Sequence, residues 1–398
     1  MGRRTTARFT ALVAAAVLAV AGCAESSSES GASGAAATTG PIKIGAVLDI
    51  TGAGASLGVP ERQTLELLSE QLTAAGGING RPVQVLIEDN QSTEDGAAKA
   101  MNKLVNQDEV DLVLGASRTG PSLAMKATAE GSKIPMISMA ANQAIVDGSS
   151  WVFKSAQNDR VVIERMIGYM AQKGYKTIGL ARDASGFGEG VQEMFDEVGG
   201  SAGISVAGTE KFAPDATDFT AQMVNLRELD ADVNVLWGIP PAAGLAQKAY
   251  RQLGIKTPVM QSHGIGNQVF LDTAGESADG LVAPLGRLVV ADQLPADDPQ
   301  KKTIETFIAD YTKKFGSGPS TFSGHAYDAW MLAVEAVRAV GTGKQAVRDH
   351  LEQVKDYVGI SGVFTMTPQD HSGLSKEALQ LVTVEQGEWK LLSDQATG

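Results

Sequence analysis

Several short stretches of this chain carry side chains whose type and spacing could do chemistry. Gly115-Ala-Ser117-Arg118-Thr119-Gly-Pro121-Ser122 gathers three hydroxyls and a guanidinium around a proline. Proline suits the first turn of a helix, so free backbone amides would stand beside those side chains. A carboxylate fits such a set by charge-assisted hydrogen bonds. An ordinary Ser/Thr helix cap would use the same residues. Ser138-Met-Ala140-Ala141-Asn142 follows Ile134-Pro135, and its small residues either leave room for a ligand or pack a close turn. Ser262-His263-Gly264 supplies an imidazole. It could donate to a ligand oxygen, switch charge near pH 6.5, or sit in solvent. Phe187 and Trp237 could wall an apolar ligand or belong to a core.

Other patterns exclude more than they suggest. Gly52-Ala-Gly54-Ala-Ser-Leu57-Gly58 is one residue too long for a dinucleotide fingerprint. It reads as a glycine-rich strand-to-helix turn, or as backbone amides lining a cleft. The four His, at 263, 325, 350 and 371, show no metal-ligand spacing, and the single Cys allows neither an internal disulfide nor a thiolate zinc cluster. Asp370-His371-Ser372 reads as a polar turn, and there is no GxSxG elbow. No catalytic residue, cofactor or metal is expected, and an enzyme on this scaffold is the weakest reading. The net charge of −13 opposes nucleic acid as a partner.

The elements around these loops alternate. Strand-like runs lie at 43–48, 83–88, 112–114, 136–138, 177–181, 233–237 and 259–261; helix-like stretches at 62–75, 94–106, 122–131, 160–172 and 190–199 fall between them. This alternation predicts a parallel sheet covered on both faces. The pattern also repeats. Ile44, Gly45, Asp49, Gly52 and Gly54 match Ile178, Gly179, Asp183, Gly186 and Gly188 at one offset, and Gly115 and Pro135 match Gly238 and Pro258 at another. Two similar doubly wound α/β lobes facing each other would form a cleft at the carboxyl ends of their strands.

The amino-terminal region has a different character. Arg3, Arg4 and Arg8 precede the apolar run 11–20, and Val20-Ala21-Gly22-Cys23 follows. These are the parts of a secretory signal, residues 1–22, and the apolar run is too short for an ordinary membrane span. The one Cys stands where cleavage would make it the first residue, as in a bacterial lipobox, which implies lipid on Cys23. Residues 23–40 are small and polar and read as a flexible tether. The expected product is extracytoplasmic and lipid-anchored to the cell membrane.

Ile42-Lys-Ile-Gly-Ala-Val-Leu-Asp-Ile-Thr-Gly52, Ala75-Gly-Gly-Ile-Asn-Gly-Arg-Pro-Val83, Glu88-Asp89-Asn90 and Gly324-His-Ala-Tyr-Asp-Ala329 resemble the type I periplasmic-binding-protein family. The nearest branch is the leucine/isoleucine/valine-binding proteins of ABC importers. The resemblance covers about residues 41–393. It implies two lobes joined by three crossovers, near Asn158, Pro284 and Ser361. Lobe one would be 41–158 with 285–360, and lobe two 159–284 with 361–398. It further implies domain closure on a small solute and recognition by membrane permease subunits. In relatives the solute carboxylate is held by the positions matching Ser117, Arg118 and Thr119 and by those matching Ala140, Ala141 and Asn142. The apolar side chain lies near the position matching Leu57, and the ammonium meets an acidic residue that aligns with His263. Here His replaces that acid and Leu57 replaces an aromatic, with Asp183 a possible substitute partner for the amine. The implied class is a branched-chain or other hydrophobic amino acid. An amine-free aliphatic or aromatic carboxylate is the rival, and a sensor feeding a signalling receptor is a further alternative.

Overall fold

A computed structural model describes residues 40–392. The expected signal segment, Cys23 and the tether as far as residue 39 lie outside the described residues. Two sheets organise the chain. The first holds β1 (Ile42–Leu48), β2 (Val83–Asp89), β3 (Leu112–Gly115), β4 (Met136–Ser138) and β5 (Val152–Lys154), in the order β2-β1-β3-β4-β5, all parallel. The second holds β6 (Thr177–Asp183), β7 (Ser205–Phe212), β8 (Val233–Trp237), β9 (Val259–Gln261) and β10 (Val282–Gly286). Read from its β7 edge, its order β7-β6-β8-β9-β10 repeats that of the first sheet. The sequence repeats therefore mark equivalent strands, β1 with β6 and β3 with β8.

A small hairpin of β11 (Tyr357–Val358) and β12 (Val363–Phe364) follows, and then β13 (Leu379–Glu385) and β14 (Glu388–Leu391) join the second sheet beside β10. Those two pair antiparallel, so the expected all-parallel sheet is mixed at this edge. A two-residue turn can return the chain only in the antiparallel sense. The sequence reading also passed over β5, β7 and β10. β5 has only three residues, and β7 is a half-exposed edge strand without an apolar run.

The first four helices are α1 (Ala55–Ala74), α2 (Glu94–Asn106), α3 (Thr119–Ser132) and α4 (Asp159–Lys173). α5 (Val191–Gly200), α6 (Thr220–Glu228), α7 (Ala242–Gln252) and α8 (Gln268–Ala274) cover the second sheet. α9 (Lys301–Phe315), α10 (Thr321–Val340) and α11 (Lys344–Leu351) return to the first. Period-two strands feed both faces. Ile44, Ala46 and Leu48 pack with Leu65, Leu68 and Trp330 on one side, while Val47 and Val113 pack with Met101 and Met125 on the other. α2 begins where Thr93 accepts from the Gly96 amide, with Glu94 and Asp95 in its first turn and Lys103 in its last.

α1 begins seven residues before the expected Arg62, at Ala55, despite Pro60 inside it. Proline removes the amide that would bond the Ser56 carbonyl. That carbonyl instead accepts from Asn267 Nδ2 at 3.3 Å, from the far side of the cleft. Pro284 lies within β10, and the chain leaves the second sheet only after Gly286. Phe364, Met366, Leu374 and Ala378 pack in the first sheet's core, whereas Leu379 packs in the second's. This packing puts the last passage between sheets at Leu379 and not at Ser361.

Candidate functional site

The loops after β3, β4, β6, β8 and β9 converge on a cavity of about 30 Å³ between the two sheets. Ligands of open α/β sheets bind at this end of the strands. Leu57 of α1, Ser117, Arg118 and Thr119 before and at the start of α3, and Met139, Ala140 and Ala141 after β4 line it from the first sheet, with Ala156 from the passage between sheets. Ser185, Phe187, Ile239, His263 and Gly264 line it from the second, and α10 adds Phe322 and His325. The walls are mainly apolar, with few polar groups, as small-molecule sites usually are.

Two expected residues stand elsewhere. Trp237 is fully buried behind the wall, its ring centroid 5.4 Å from Phe187 and 5.8 Å from His263, and its Nε1 donates to the Phe187 carbonyl at 3.1 Å. It holds the wall and does not form it. Asn142 faces a neighbouring groove. Its Nδ2 donates to the Gly186 carbonyl at 3.1 Å, and its Oδ1 accepts from the Ala144 amide at 2.9 Å.

The hydroxyls after β3 divide by role. Ser117 Oγ accepts from the Asp49 amide at 3.0 Å and donates to the buried Glu61 carboxyl, whose pKa burial raises. Ser122 Oγ accepts from the Ala116 amide at 3.1 Å and bonds Ser138 Oγ at 2.8 Å. Thr119 Oγ1 is buried and has no partner among the described residues. No side chain caps α3, so its first amides stand beside that hydroxyl. A buried hydroxyl without a partner is costly, and this one lines the cavity. It is the best-placed donor for a solute oxygen.

Arg118 does not serve as expected. Its Nε pairs with the buried Asp49 carboxylate, and Nη2 donates to the Ser92 carbonyl. The guanidinium shapes the cavity, but its charge is already matched. Asp183 does not line the cavity. Its Oδ1 accepts from the Ser185 amide at 3.0 Å and hydroxyl at 2.6 Å, so it orders its own loop.

His263 is buried. Burial first, then His325 and Lys154, push its pKa down to about 3, so of the roles open to it a charge switch near pH 6.5 is absent. Its Nε2 lies 3.9 Å from Asp159 Oδ1, and its Nδ1 has no partner among the described residues. His325 is likewise held neutral, with a pKa of about 3, by burial and by Lys154. Lys154 is completely buried behind the site. Its Nζ donates to the carbonyls of Ala141 and Asn142, which fixes the segment forming one wall. Burial lowers the Lys154 pKa and raises that of Asp159, each opposed by the other's charge.

The sequence reading passed over Met139, Ala156, Ser185, Ile239, Phe322 and His325 as lining residues, and Lys154 with Asp159 as a buried charged pair. His325 did sit in a quoted motif. Nothing local marks it as a site residue, because it lies inside a helix and reaches the cavity only through packing. No group of three or more His, Cys, Asp or Glu could hold a metal ion among the described residues.

The profile of the family described as periplasmic binding protein matches residues 41–388. The chain is 28% identical over 310 residues to the leucine-, isoleucine-, valine-, threonine- and alanine-binding protein of Pseudomonas aeruginosa, covering 75% of this chain and 79% of that one. An extracellular ligand-binding receptor from Rhodopseudomonas palustris HaA2 superposes with a TM-score of 0.83 at 27% identity, over 88% of this chain and 99% of that one. The branched-chain amino acid transporter substrate-binding protein of Streptococcus pneumoniae, solved with isoleucine, superposes at 0.78 with 26% identity, over 88% and 98%.

Proposed function

The chain belongs to the periplasmic binding protein family, whose members are substrate-binding proteins and not enzymes, and on that premise we propose that it is the extracytoplasmic solute-binding subunit of an ABC importer. The reading places it outside the cytoplasm, held to the membrane by lipid on Cys23. Its lobes close on a small hydrophobic carboxylate of the branched-chain amino acid class and present the closed form to permease subunits. The Pseudomonas and Streptococcus relatives support this class. The observation that carries the reading is the cavity itself: apolar walls from both sheets enclose the Thr119 hydroxyl, which has no partner among the described residues, at the start of α3.

A second reading has its own observation. Among the described residues no acidic side chain lines the cavity, and the His263 imidazole is neutral. An ammonium would enter without a countercharge, so an amine-free aliphatic or aromatic carboxylate fits these walls better. Thermal shift and calorimetry on the solute-free protein separate the two. Stabilisation by leucine, isoleucine or valine supports the amino-acid class. Stabilisation by 4-methylpentanoate or benzoate alone supports the amine-free class. A flat response to all of them rejects the carboxylate grip.

A further inference from the structure

The proton on His325 can be located from its neighbours. The Ser361 carbonyl only accepts, so the Gln157 group 2.7 Å from it is the amide NH2. The other end of that amide is therefore its oxygen, which lies 3.1 Å from His325 Nε2. An amide oxygen cannot donate, so His325 Nε2 does. With the ring neutral, its pKa held at about 3, Nδ1 is left with a bare lone pair. Nδ1 is buried without a partner among the described residues, on a residue that is 3% exposed and lines the cavity. An acceptor in that position calls for a donor on the solute. Among the described residues no carboxylate side chain lines the same cavity to meet an ammonium, which leaves an uncharged donor.

We propose that the solute carries, besides its carboxylate, a hydroxyl that donates to His325 Nδ1, so that the preferred class is an apolar hydroxy acid. Thr119 and the start of α3 take the carboxylate, His325 reads the hydroxyl, and Gln157 is a positioning residue that fixes the tautomer. This rests on the carboxylate reading above.

Calorimetry on the intact protein tests it with 2-hydroxy-4-methylpentanoate against 4-methylpentanoate, 4-hydroxybenzoate against benzoate, and leucine as the ammonium counterpart. In at least one pair the hydroxylated acid binds about tenfold tighter than its deoxy partner, because the deoxy acid leaves the buried Nδ1 unpaired. His325→Phe makes the two bind alike. Equal or tighter binding of both deoxy acids, or tighter binding of leucine than of the hydroxy acids, overturns the inference and leaves the carboxylate reading standing. Failure of every acid to bind overturns both. Nitrogen-15 spectra of the wild-type histidines keep the test open if the variant does not fold. They are expected to show Nε2–H on His325, and an Nδ1 resonance that moves only with the hydroxylated acid. A proton on Nδ1 overturns the proposal.

Discussion

The guanidinium of Arg118 is paired with the carboxylate of Asp49, 69 residues away in sequence, and the carboxylate is completely buried. Asp49 also accepts from Asn90 Nδ2 at 2.7 Å, so this pair ties the end of β1 to the loops after β2 and β3. Arg118→Ala leaves a buried carboxylate without its cation. We expect it to destabilise the solute-free protein by about 3 kcal/mol. Urea denaturation without solute measures this; an unchanged midpoint would show that the pair does not hold the loops.

Thr119 gives the opposite pattern. Thr119→Val removes a buried hydroxyl that has no partner among the described residues and keeps the side-chain shape. The solute-free protein should be as stable as wild type or slightly more so, while affinity for a carboxylate solute falls by about 1–3 kcal/mol. Parallel melting and titration check both halves. Unaltered affinity would remove this hydroxyl from the grip.

The buried histidines set an acid-side stability slope. Folding lowers the His263 pKa from 6.5 to about 3. Between those values the unfolded chain binds one proton more than the folded one, so stability falls as pH drops through that window, by about 1.4 kcal/mol per pH unit from this group. Buried acids such as Asp328, raised to about 7, act in the reverse sense between 3.8 and 7, so the net slope is smaller. His263→Gln should remove one proton from the linkage, and its stability should fall less than wild type's between pH 6.5 and 4. Parallel curves for the two proteins would contradict this.

Lys154 and Asp159 are coupled through burial. Lys154→Met removes the donor to the Ala141 and Asn142 carbonyls and leaves the buried Asp159 without its nearby cation. A loss of about 3–5 kcal/mol is expected, and adding Asp159→Asn should recover part of it. A double-mutant cycle in urea measures the recovery; additive losses would mean that the two charges do not interact.

Much of the site was legible where function and local structure coincide. Nine expected residues, Leu57, Ser117, Arg118, Thr119, Ala140, Ala141, Phe187, His263 and Gly264, line the cavity. All but Leu57 lie in the segments that follow a strand, within two residues of the start of the next helical turn or before it, and a chain alternating strands and helices shows such segments by its glycines, prolines and small polar residues. Leu57 came instead from the family resemblance. Asn142 and Trp237 were placed on the right segments but face elsewhere, since neighbouring residues on a loop or strand point in different directions.

The sequence by itself determined the alternating α/β class, the repeat of strand and loop positions, and the loops from which the candidate site is built. These follow from short-range periodicity and from which residues can turn a backbone. Only the tertiary structure decided what those loops can do. It matched the Arg118 charge with Asp49, tied Ser117 to Glu61, left the Thr119 hydroxyl without a partner among the described residues, and brought Phe322 and His325 from α10 into the cavity. It also set His325 Nε2 against the side-chain amide of Gln157, which Ser361 orients, 168 and 36 residues away. The reason is physical: burial and hydrogen-bond partnership set a side chain's charge and free valence, and both come from residues far apart in the chain.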